Sequence, residues 1–163
     1  MFTDLVDFTG ITSRLGDDQA MRLPREHNEL IRGVLRQTGG REVKHTGDGI
    51  MASFDSGSQA IRGATAIQDA FRRRNALHPN EAMHVRIDIG AGKPIEERGD
   101  LFGSAVQLAA RLCDMVEGGQ ILVAEVALAP VPDGTPAPVR LGPRPVRGFT
   151  APITVYRIGD AAG

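Results

Sequence analysis

The sequence predicts an α+β fold, a mostly antiparallel sheet with helices packed on it. A tight-turn signal, Asp48-Gly49, joins two short alternating stretches and predicts an antiparallel hairpin. Helical patterns separate most of the other strand-like segments, so crossovers through helices are mixed with hairpins along the chain. This combination is typical of a single sheet layer with helices on one face.

Composition sets limits on the class of protein. The chain has 163 residues, of which 41% are hydrophobic and 24% charged. This length fits one globular domain, residues 1–163, that buries roughly two thirds of its unfolded surface. The net charge of −1 and the pI of about 6.4 lack the basic footprint of a nucleic-acid-binding protein. Cys113 is the single cysteine, so an intrachain disulfide is excluded, and we expect it to be a buried apolar residue.

No targeting or membrane signal is visible. No apolar run reaches the length of a membrane span, and no signal-peptide pattern opens the chain. We therefore predict a cytoplasmic domain without membrane insertion. The chain opens on what reads as a strand already in progress, which is typical of a sequence that has lost residues at its N-terminus.

The first element is a short apolar strand at Phe2–Val6, interrupted by Asp4. A helix is then predicted to begin within residues 8–12, with Asp7 or Thr9 as its N-cap.

A longer helix follows and leads into the hairpin. Apolar residues at helical spacing predict this helix at residues 17–37, and Pro24 should kink or restart it. Gly39-Gly40 ends the pattern, as glycine often does just beyond a helix. The hairpin occupies residues 41–54.

Beyond the hairpin, helices and strands continue to alternate. The order is a helix at 58–74, a strand at 84–89, a helix at 104–116, a buried strand at 120–126, a Pro- and Gly-rich loop with an irregular strand at 130–145, and a last strand at 153–158. Residues 90–94 hint at a nucleotide-binding loop but lack the spacing of a Walker loop and of a dinucleotide fingerprint. We interpret them as a turn at the end of a strand.

Two carboxylates form the first candidate site. If the first strand lies beside the hairpin, Asp4 and Asp48 reach the same edge of the sheet, where converging aspartates suit Mg²⁺ or Mn²⁺. A pair of such ions can activate an attacking oxygen and neutralise a leaving phosphate. Phe8, Thr9 and Gly10 at a helix start would offer backbone N–H groups to phosphates. The alternatives are a plain turn residue at 48 and a cap or surface carboxylate at 4, but a buried unpaired carboxylate in an apolar strand is costly.

The helix at 104–116 carries a second candidate site. Gln107 and Arg111 are four residues apart and therefore lie on the same helix face. An arginine with an amide donor beside it suits a phosphorane, whose negative charge is spread over several oxygens. The alternative is an ordinary solvated helix face.

Five segments give the chain a resemblance to the catalytic domains of class III nucleotidyl cyclases, the adenylate/guanylate cyclase family. In the family's order they are FTDLVDFT, GGREVKHTGDG, VRIDIGAGKP, GDLFGSAVQLAARL and VRGFTAPITVYRI. GREVKHTGDG and GDLFG…LAARL, found together at this separation, are the most specific. The resemblance implies a ferredoxin-like cyclase fold and the conversion of ATP to 3′,5′-cyclic AMP and pyrophosphate.

The resemblance also assigns roles to single residues. Asp4 and Asp48 resemble the family's metal ligands, with the carbonyl of Leu5 as an auxiliary ligand, which implies two Mg²⁺ or Mn²⁺ ions per site. Lys44 and Asp100 match the pair that reads the purine. Adenine presents an acceptor at N1 for Lys44 and a donor at N6 for Asp100. Guanine reverses both edges, so ATP is favoured over GTP.

The remaining roles involve a second copy of the chain. Arg111 matches the transition-state arginine, Gln107 stands where the family pattern usually has asparagine, and Arg147 stands where a triphosphate-binding lysine is more common. The family works as a head-to-tail dimer, so the resemblance implies a homodimer in which Arg111 completes the partner's site. Two alternatives stay open. One is a cyclase-like module that binds nucleotide or dimerises without catalysis, motivated by Gln107, the abrupt start and the short segment at 127–138. The other is a guanylate cyclase.

Overall fold

The computed structural model describes residues 1–7, 10, 22–113, 115–128, 130, 131 and 133–159, which form nine strands and three α-helices. The strands are β1 (Phe2–Val6), β2 (Arg41–His45), β3 (Gly49–Ser53), β4 (His84–Ile89), β5 (Ile95–Glu97), β6 (Asp100–Phe102), β7 (Ile121–Ala124), β8 (Val139–Arg144) and β9 (Ile153–Ile158). The helices are α1 (Arg22–Thr38), α2 (Gly57–Leu77) and α3 (Ser104–Cys113). Within these residues, no helix combines the length and the apolar character that crossing a membrane requires.

Seven strands form one sheet in the order β2-β3-β1-β4-β7-β9-β8. Five of its six neighbouring pairs are antiparallel, and β4 and β7 form the parallel pair. The predicted α+β class with a mostly antiparallel sheet is therefore confirmed. In this order β1 lies between β3 and β4, so the first strand and the hairpin are direct neighbours, as predicted.

Helices lie on both faces of the sheet, which corrects the expectation of one covered face. The main core holds α1 and α2 against Ile87 of β4 and Val123 of β7. A second cluster packs Leu108 and Leu112 of α3 with Ala124 of β7 on the other face. Ala124 directly follows Val123, so the two side chains point to opposite faces of the sheet. All four residues of β7 are buried. A continuous apolar run such as 121–124 needs cover on both faces, because successive side chains alternate between them.

Most predicted elements are confirmed, with shifted ends. The helix predicted at 58–74 extends to Leu77, the one predicted at 104–116 ends at Cys113, and the strand predicted at 120–126 is shortened to Ile121–Ala124. The two-stranded arm formed by β5 and β6 was not predicted, since each strand has only three residues. The helix start at 8–12 and residues 17–21 of the long helix lie outside the described residues, apart from Gly10.

The end of α1 follows its glycine signal. Gly39 adopts a left-handed φ of 76°, and the N–H of Gly40 donates to the carbonyl of Leu35 at 2.9 Å. This six-to-one hydrogen bond is the Schellman pattern, which satisfies a carbonyl of the last helical turn. The chain therefore leaves α1 in the direction that lets β2 begin at Arg41.

The hairpin turn uses its glycines differently from the prediction. The left-handed residue is Gly47, with φ of 92°, so the turn is centred on Gly47-Asp48 and not on Asp48-Gly49. Thr46 N–H donates to the carbonyl of Gly49 at 2.9 Å and closes the turn. Gly49 is required for another reason, because a Cβ there would lie 1.8 Å from the backbone oxygen of Thr3. Strand β1 thus approaches the hairpin so closely that no side chain fits between them.

Candidate active site

Asp4 and Asp48 come together at one end of the β1–β3 pair. Asp4 lies opposite Gly49 in the strand register, and the N–H of Leu5 donates to the carbonyl of Asp48 at 3.0 Å. The two carboxylates are close enough for Asp48 to affect the ionisation of Asp4. The side chain of Asp4 is 18% exposed, while Asp48 is at the surface. One carboxylate is therefore held in the sheet and the other is presented by a turn.

The ionised form of Asp4 is disfavoured although one arginine pairs with it. Burial raises the pKa of Asp4, and neighbouring Asp48 raises it further. Arg86 of β4 opposes this shift, since its Nε and Nη2 lie 2.7 and 2.5 Å from Asp4 Oδ2. A positive charge placed between Asp4 and Asp48 would relieve the remaining destabilisation of the ionised pair.

This donor set fits a hard divalent cation only in part. The described residues contain no group of three or more His, Cys, Asp or Glu side chains suited to holding a metal. They offer two carboxylates, with the carbonyl of Leu5 beside them. Magnesium sites commonly use one or two carboxylates and complete the shell with water and substrate phosphate. Asp4 and Asp48 therefore suit metals that arrive together with a phosphorylated substrate.

Lys44 and Asp100 contact each other across two elements. Lys44 Nζ of β2 lies 2.6 Å from Asp100 Oδ2, at the start of β6. The other oxygen, Asp100 Oδ1, accepts from the N–H of Leu101 at 2.7 Å, and the Lys44 ammonium holds the pKa of Asp100 below its usual value. Lys44 Nζ also lies 5.9 Å from the centroid of the Phe102 ring. The two residues that the resemblance pairs are thus neighbours, brought together by the β5–β6 arm.

The other predicted site residues are not joined to the aspartates in the part of the chain described. Gln107 and Arg111 are both exposed on α3, and no hydrogen bond or ion pair there connects either to Asp4 or Asp48. Arg147 lies exposed in the turn that follows β8.

The predicted phosphate-binding turn is described only at one residue. Gly10 N–H donates to Asp7 Oδ1 at 3.2 Å, the contact expected if Asp7 caps a helix. Phe8 and Thr9 lie outside the described residues.

Arg86 is the residue of this site that the sequence prediction missed. It lies directly opposite Asp4 in the antiparallel β1–β4 register. The available signal was an arginine inside the apolar run VRIDI, since a charged residue in a central strand needs a partner. The identity of that partner depends on strand order and register, which local sequence does not specify.

Comparison with known proteins gives the same grouping throughout. A profile of the adenylate and guanylate cyclase catalytic domain matches residues 1–158. An uncharacterized protein of Mycobacterium tuberculosis is 34% identical over 159 residues, which cover 98% of this chain and 40% of that protein. An adenylate cyclase of Mycosarcoma maydis is 35% identical over 150 residues, covering 77% and 6% of the two chains. This chain therefore spans at most about two fifths of either relative.

Solved structures share the fold. An adenylate/guanylate cyclase/hydrolase from Silicibacter pomeroyi matches with a TM-score of 0.81 and 32% identity, covering 98% of this chain and 94% of that one. The guanylate cyclase domain of RhGC from Catenaria anguillulae, solved with GTP, has a TM-score of 0.76 and 18% identity, covering 97% and 93%. The adenylyl cyclase CyaB from P. aeruginosa has a TM-score of 0.75 and 19% identity, covering 99% and 92%. At these lower identities the last two show a shared fold alone.

Proposed function

Because this chain belongs to the adenylate and guanylate cyclase catalytic domain family, we propose that it converts ATP to 3′,5′-cyclic AMP and pyrophosphate. The proposed catalytic domain is the whole chain, residues 1–163, working in the cytoplasm where ATP is available. The observation that carries the proposal is the convergence of Asp4 and Asp48 at one end of the β1–β3 pair. Two carboxylates in this position suit the phosphoryl chemistry of a nucleotide triphosphate.

The proposed reaction is one displacement at the α-phosphorus of ATP. The ribose 3′-oxygen forms a bond to this phosphorus, and the bond from phosphorus to the oxygen bridging the α- and β-phosphates breaks, its electron pair leaving with pyrophosphate. The proton of the 3′-hydroxyl is released to water. Two Mg²⁺ or Mn²⁺ ions, when bound, would make the 3′-oxygen a better nucleophile and neutralise charge on the leaving pyrophosphate. Asp4 and Asp48, with the carbonyl of Leu5, would hold these ions.

Lys44 and Asp100 support adenine as the base. Lys44 can donate to adenine N1, and Asp100 can accept from the N6 amino group. Since the two side chains already contact each other at 2.6 Å, both can reach one purine edge with small movements. Guanine presents a donor where adenine presents an acceptor, so Lys44 disfavours GTP.

A second copy of the chain would complete the site. Arg111, with the amide of Gln107 beside it, suits the spread charge of the transition state. Both are exposed on α3 and not joined to Asp4 or Asp48 in the described part of the chain, which supports delivery from a partner in a head-to-tail homodimer. Arg147 and the backbone at Phe8, Thr9 and Gly10 are proposed to bind the triphosphate.

The proposal is tested by a metal-dependent assay of the Asp48→Ala variant. We expect the wild-type protein to form cyclic AMP from ATP with Mn²⁺, and with Mg²⁺. Asp48→Ala should reduce turnover at least about a hundredfold, because one of two carboxylate ligands is lost. Asp133→Ala, which removes an exposed aspartate in the loop before β8, is the matched control and should keep full activity. Equal turnover by the Asp48→Ala and control variants would exclude the assigned metal role.

Assays on the wild-type protein also distinguish two other candidate functions. Gln107, one methylene longer than the family's usual asparagine, favours a non-catalytic nucleotide-binding module, which predicts ATP binding without cyclic product. A guanylate cyclase predicts that GTP outcompetes ATP when both are supplied at equal concentration. Product measured separately for the two nucleotides, beside a direct ATP-binding measurement, separates all three.

A further inference from the structure

A chain of hydrogen bonds links α1 to the turn that carries Asp48. His27 Nδ1 lies 3.0 Å from the side-chain amide of Asn28, and the other end of that amide lies 3.0 Å from Nε2 of His45. The N–H of Gly47 then donates to Nδ1 of His45 at 3.3 Å. This series of hydrogen bonds ends at Gly47, the residue before Asp48, so it reaches the backbone that presents the Asp48 carboxylate.

The series of hydrogen bonds begins at a buried side chain. His27 is 1% exposed and belongs to the buried face of α1. Its ring packs against Phe71 of α2, with ring centroids 5.5 Å apart. Burial also lowers the pKa of His27, so the ring is neutral near pH 7. The turn, by contrast, is exposed at each of residues 45–48.

One protonation pattern satisfies all three contacts. Because a backbone N–H can only donate, Nδ1 of His45 must accept from Gly47, and a neutral His45 then carries its proton on Nε2. The structure places Asn28 Oδ1 at His27 Nδ1 and Asn28 Nδ2 at His45 Nε2. With the amide turned by 180°, its oxygen accepts the Nε2 proton of His45 and its NH₂ group donates to His27 Nδ1. Without this rotation of the amide, both nitrogens of His45 would have to accept, which a neutral imidazole cannot do.

We propose that Asn28 and His45 are positioning residues for Asp48, holding the hairpin turn against α1 so that its carboxylate faces Asp4. This inference rests on the proposed metal role of Asp48. On its other side, the turn is fixed by the hydrogen bond from Leu5 N–H to the carbonyl of Asp48. The two anchors lie at consecutive residues, 47 and 48, and together they restrict the backbone of the turn. Without the anchor at Gly47, the turn keeps its attachment to β1 but loses its attachment to α1.

The main test is Mn²⁺ binding in the presence of saturating 3′-deoxy-ATP, which lacks the 3′-hydroxyl and cannot cyclise, measured by calorimetry and by electron paramagnetic resonance of the bound ion. Asn28→Leu keeps the approximate side-chain size and removes both hydrogen bonds. We expect it to weaken Mn²⁺ binding about tenfold, the low end for losing a residue that orients a metal ligand. In the cyclase assay it should raise the Mn²⁺ concentration needed for half-maximal rate, while the rate at saturating Mn²⁺ stays within about threefold of wild type.

Further variants distinguish the effect of these hydrogen bonds from a general effect of changing side-chain packing. Asn28→Asp keeps an oxygen that accepts from Nε2 of His45, the link nearest the turn, so it should bind Mn²⁺ at least as well as wild type. His45→Gln retains a group at the Nε2 position and His45→Asn one at the Nδ1 position, so each breaks one link and both should resemble Asn28→Leu. Gln37→Leu, an exposed amide substitution on the same helix, is the matched control.

A second readout does not depend on metal. ¹⁵N NMR should show His45 with Nδ1 unprotonated and Nε2 protonated, and amide hydrogen exchange at Gly47 should be faster in Asn28→Leu than in the Gln37→Leu control. Unchanged exchange at Gly47, or Mn²⁺ binding by Asn28→Leu equal to the control, overturns the inference. If Asp48→Ala binds Mn²⁺ like wild type, the metal role of Asp48 fails, and the positioning of a metal ligand fails with it, whatever Gly47 exchange shows.

Discussion

At the scale of single residues, the two glycines that flank Asp48 are required for different reasons. Gly47 is needed for its left-handed φ of 92°, and a Cβ there would meet no atom within 4 Å. Gly49 lies in the strand, and a Cβ there would meet the backbone oxygen of Thr3 at 1.8 Å. The first requirement is a local backbone preference, whereas the second depends on a strand 46 positions away in sequence.

Alanine substitutions at these two glycines should therefore lower the free energy of unfolding by clearly different amounts. Gly49→Ala forces β1 and β3 apart, and we expect it to lower the free energy of unfolding by about 3 kcal/mol. Gly47→Ala costs only backbone strain, about 1 kcal/mol. Gly33→Ala lies in the interior of α1, where a Cβ would meet only the end of the Arg36 side chain, at 3.9 Å, and should raise the stability by about 0.5 kcal/mol. Urea unfolding at pH 7 measures all three, and equal losses at Gly47 and Gly49 would contradict the close approach of β1.

At the scale of elements, α1, α2 and the 3₁₀ turn at Pro79–Glu81 meet at one arginine. Arg74 is 6% exposed and forms two hydrogen bonds of 3.0 Å with the carboxylate of Glu26 on α1. It also contacts the carbonyl and the carboxylate of Glu81. These bonds hold the pKa of Glu26 below its usual value. A buried guanidinium thus joins three segments of the chain.

This pairing predicts a pH dependence of stability with a defined sign. Because the pKa of Glu26 is lowered on folding, its contribution is complete above the unfolded pKa, about 4.3, and is lost as pH falls through the folded value. Glu26→Gln should be less stable than wild type at pH 7, by less than about 1 kcal/mol since Glu26 is partly exposed. The difference should shrink towards pH 3. Urea unfolding across pH 3–7 measures it, and a difference that grows on acidification would reverse the assigned sign.

At the scale of the whole molecule, the described part of one chain gathers only some of the proposed site. The aspartates meet beside the sheet, and Lys44 contacts Asp100, but Arg111 lies exposed on α3. The α3 helix covers the face opposite to α1 and α2, so its outer surface is available to a second copy. The proposed function therefore predicts that activity depends on association.

Mixing two inactive variants tests this association directly. Asp48→Ala and Arg111→Ala should each be inactive alone as homodimers. In an equal mixture, about half of randomly formed dimers contain one chain of each kind, and each of those has one intact shared site of two. The mixture should recover about a quarter of wild-type activity. Recovery should rise with total protein concentration, and no recovery from folded, mixed dimers would contradict a site shared between chains.

Local sequence determined the fold class and many of the proposed site residues. The hydrophobic periods, the Gly39-Gly40 helix end and the Asp-Gly signal are properties of neighbouring residues and can be read without knowing any distant contact. They placed the strands at 2–6 and 84–89 and the hairpin close to their observed positions. The family resemblance added the pairing of Lys44 with Asp100. The roles assigned to all of the site residues, Asp4, Asp48, Lys44 and Asp100 included, remain predictions.

Only the tertiary structure decided which residues distant in sequence contact each other. The contact of Arg86 with Asp4, the close approach that requires Gly49, the cover on both faces of β7 and the chain from His27 to Gly47 all join segments distant in sequence. Such contacts depend on strand order and register, where a shift of one residue exchanges every side chain between the two faces. Local patterns do not encode this register. The electrostatic setting of Asp4 and the orientation of Asp48 were therefore decided by the packing of the complete sheet and α1.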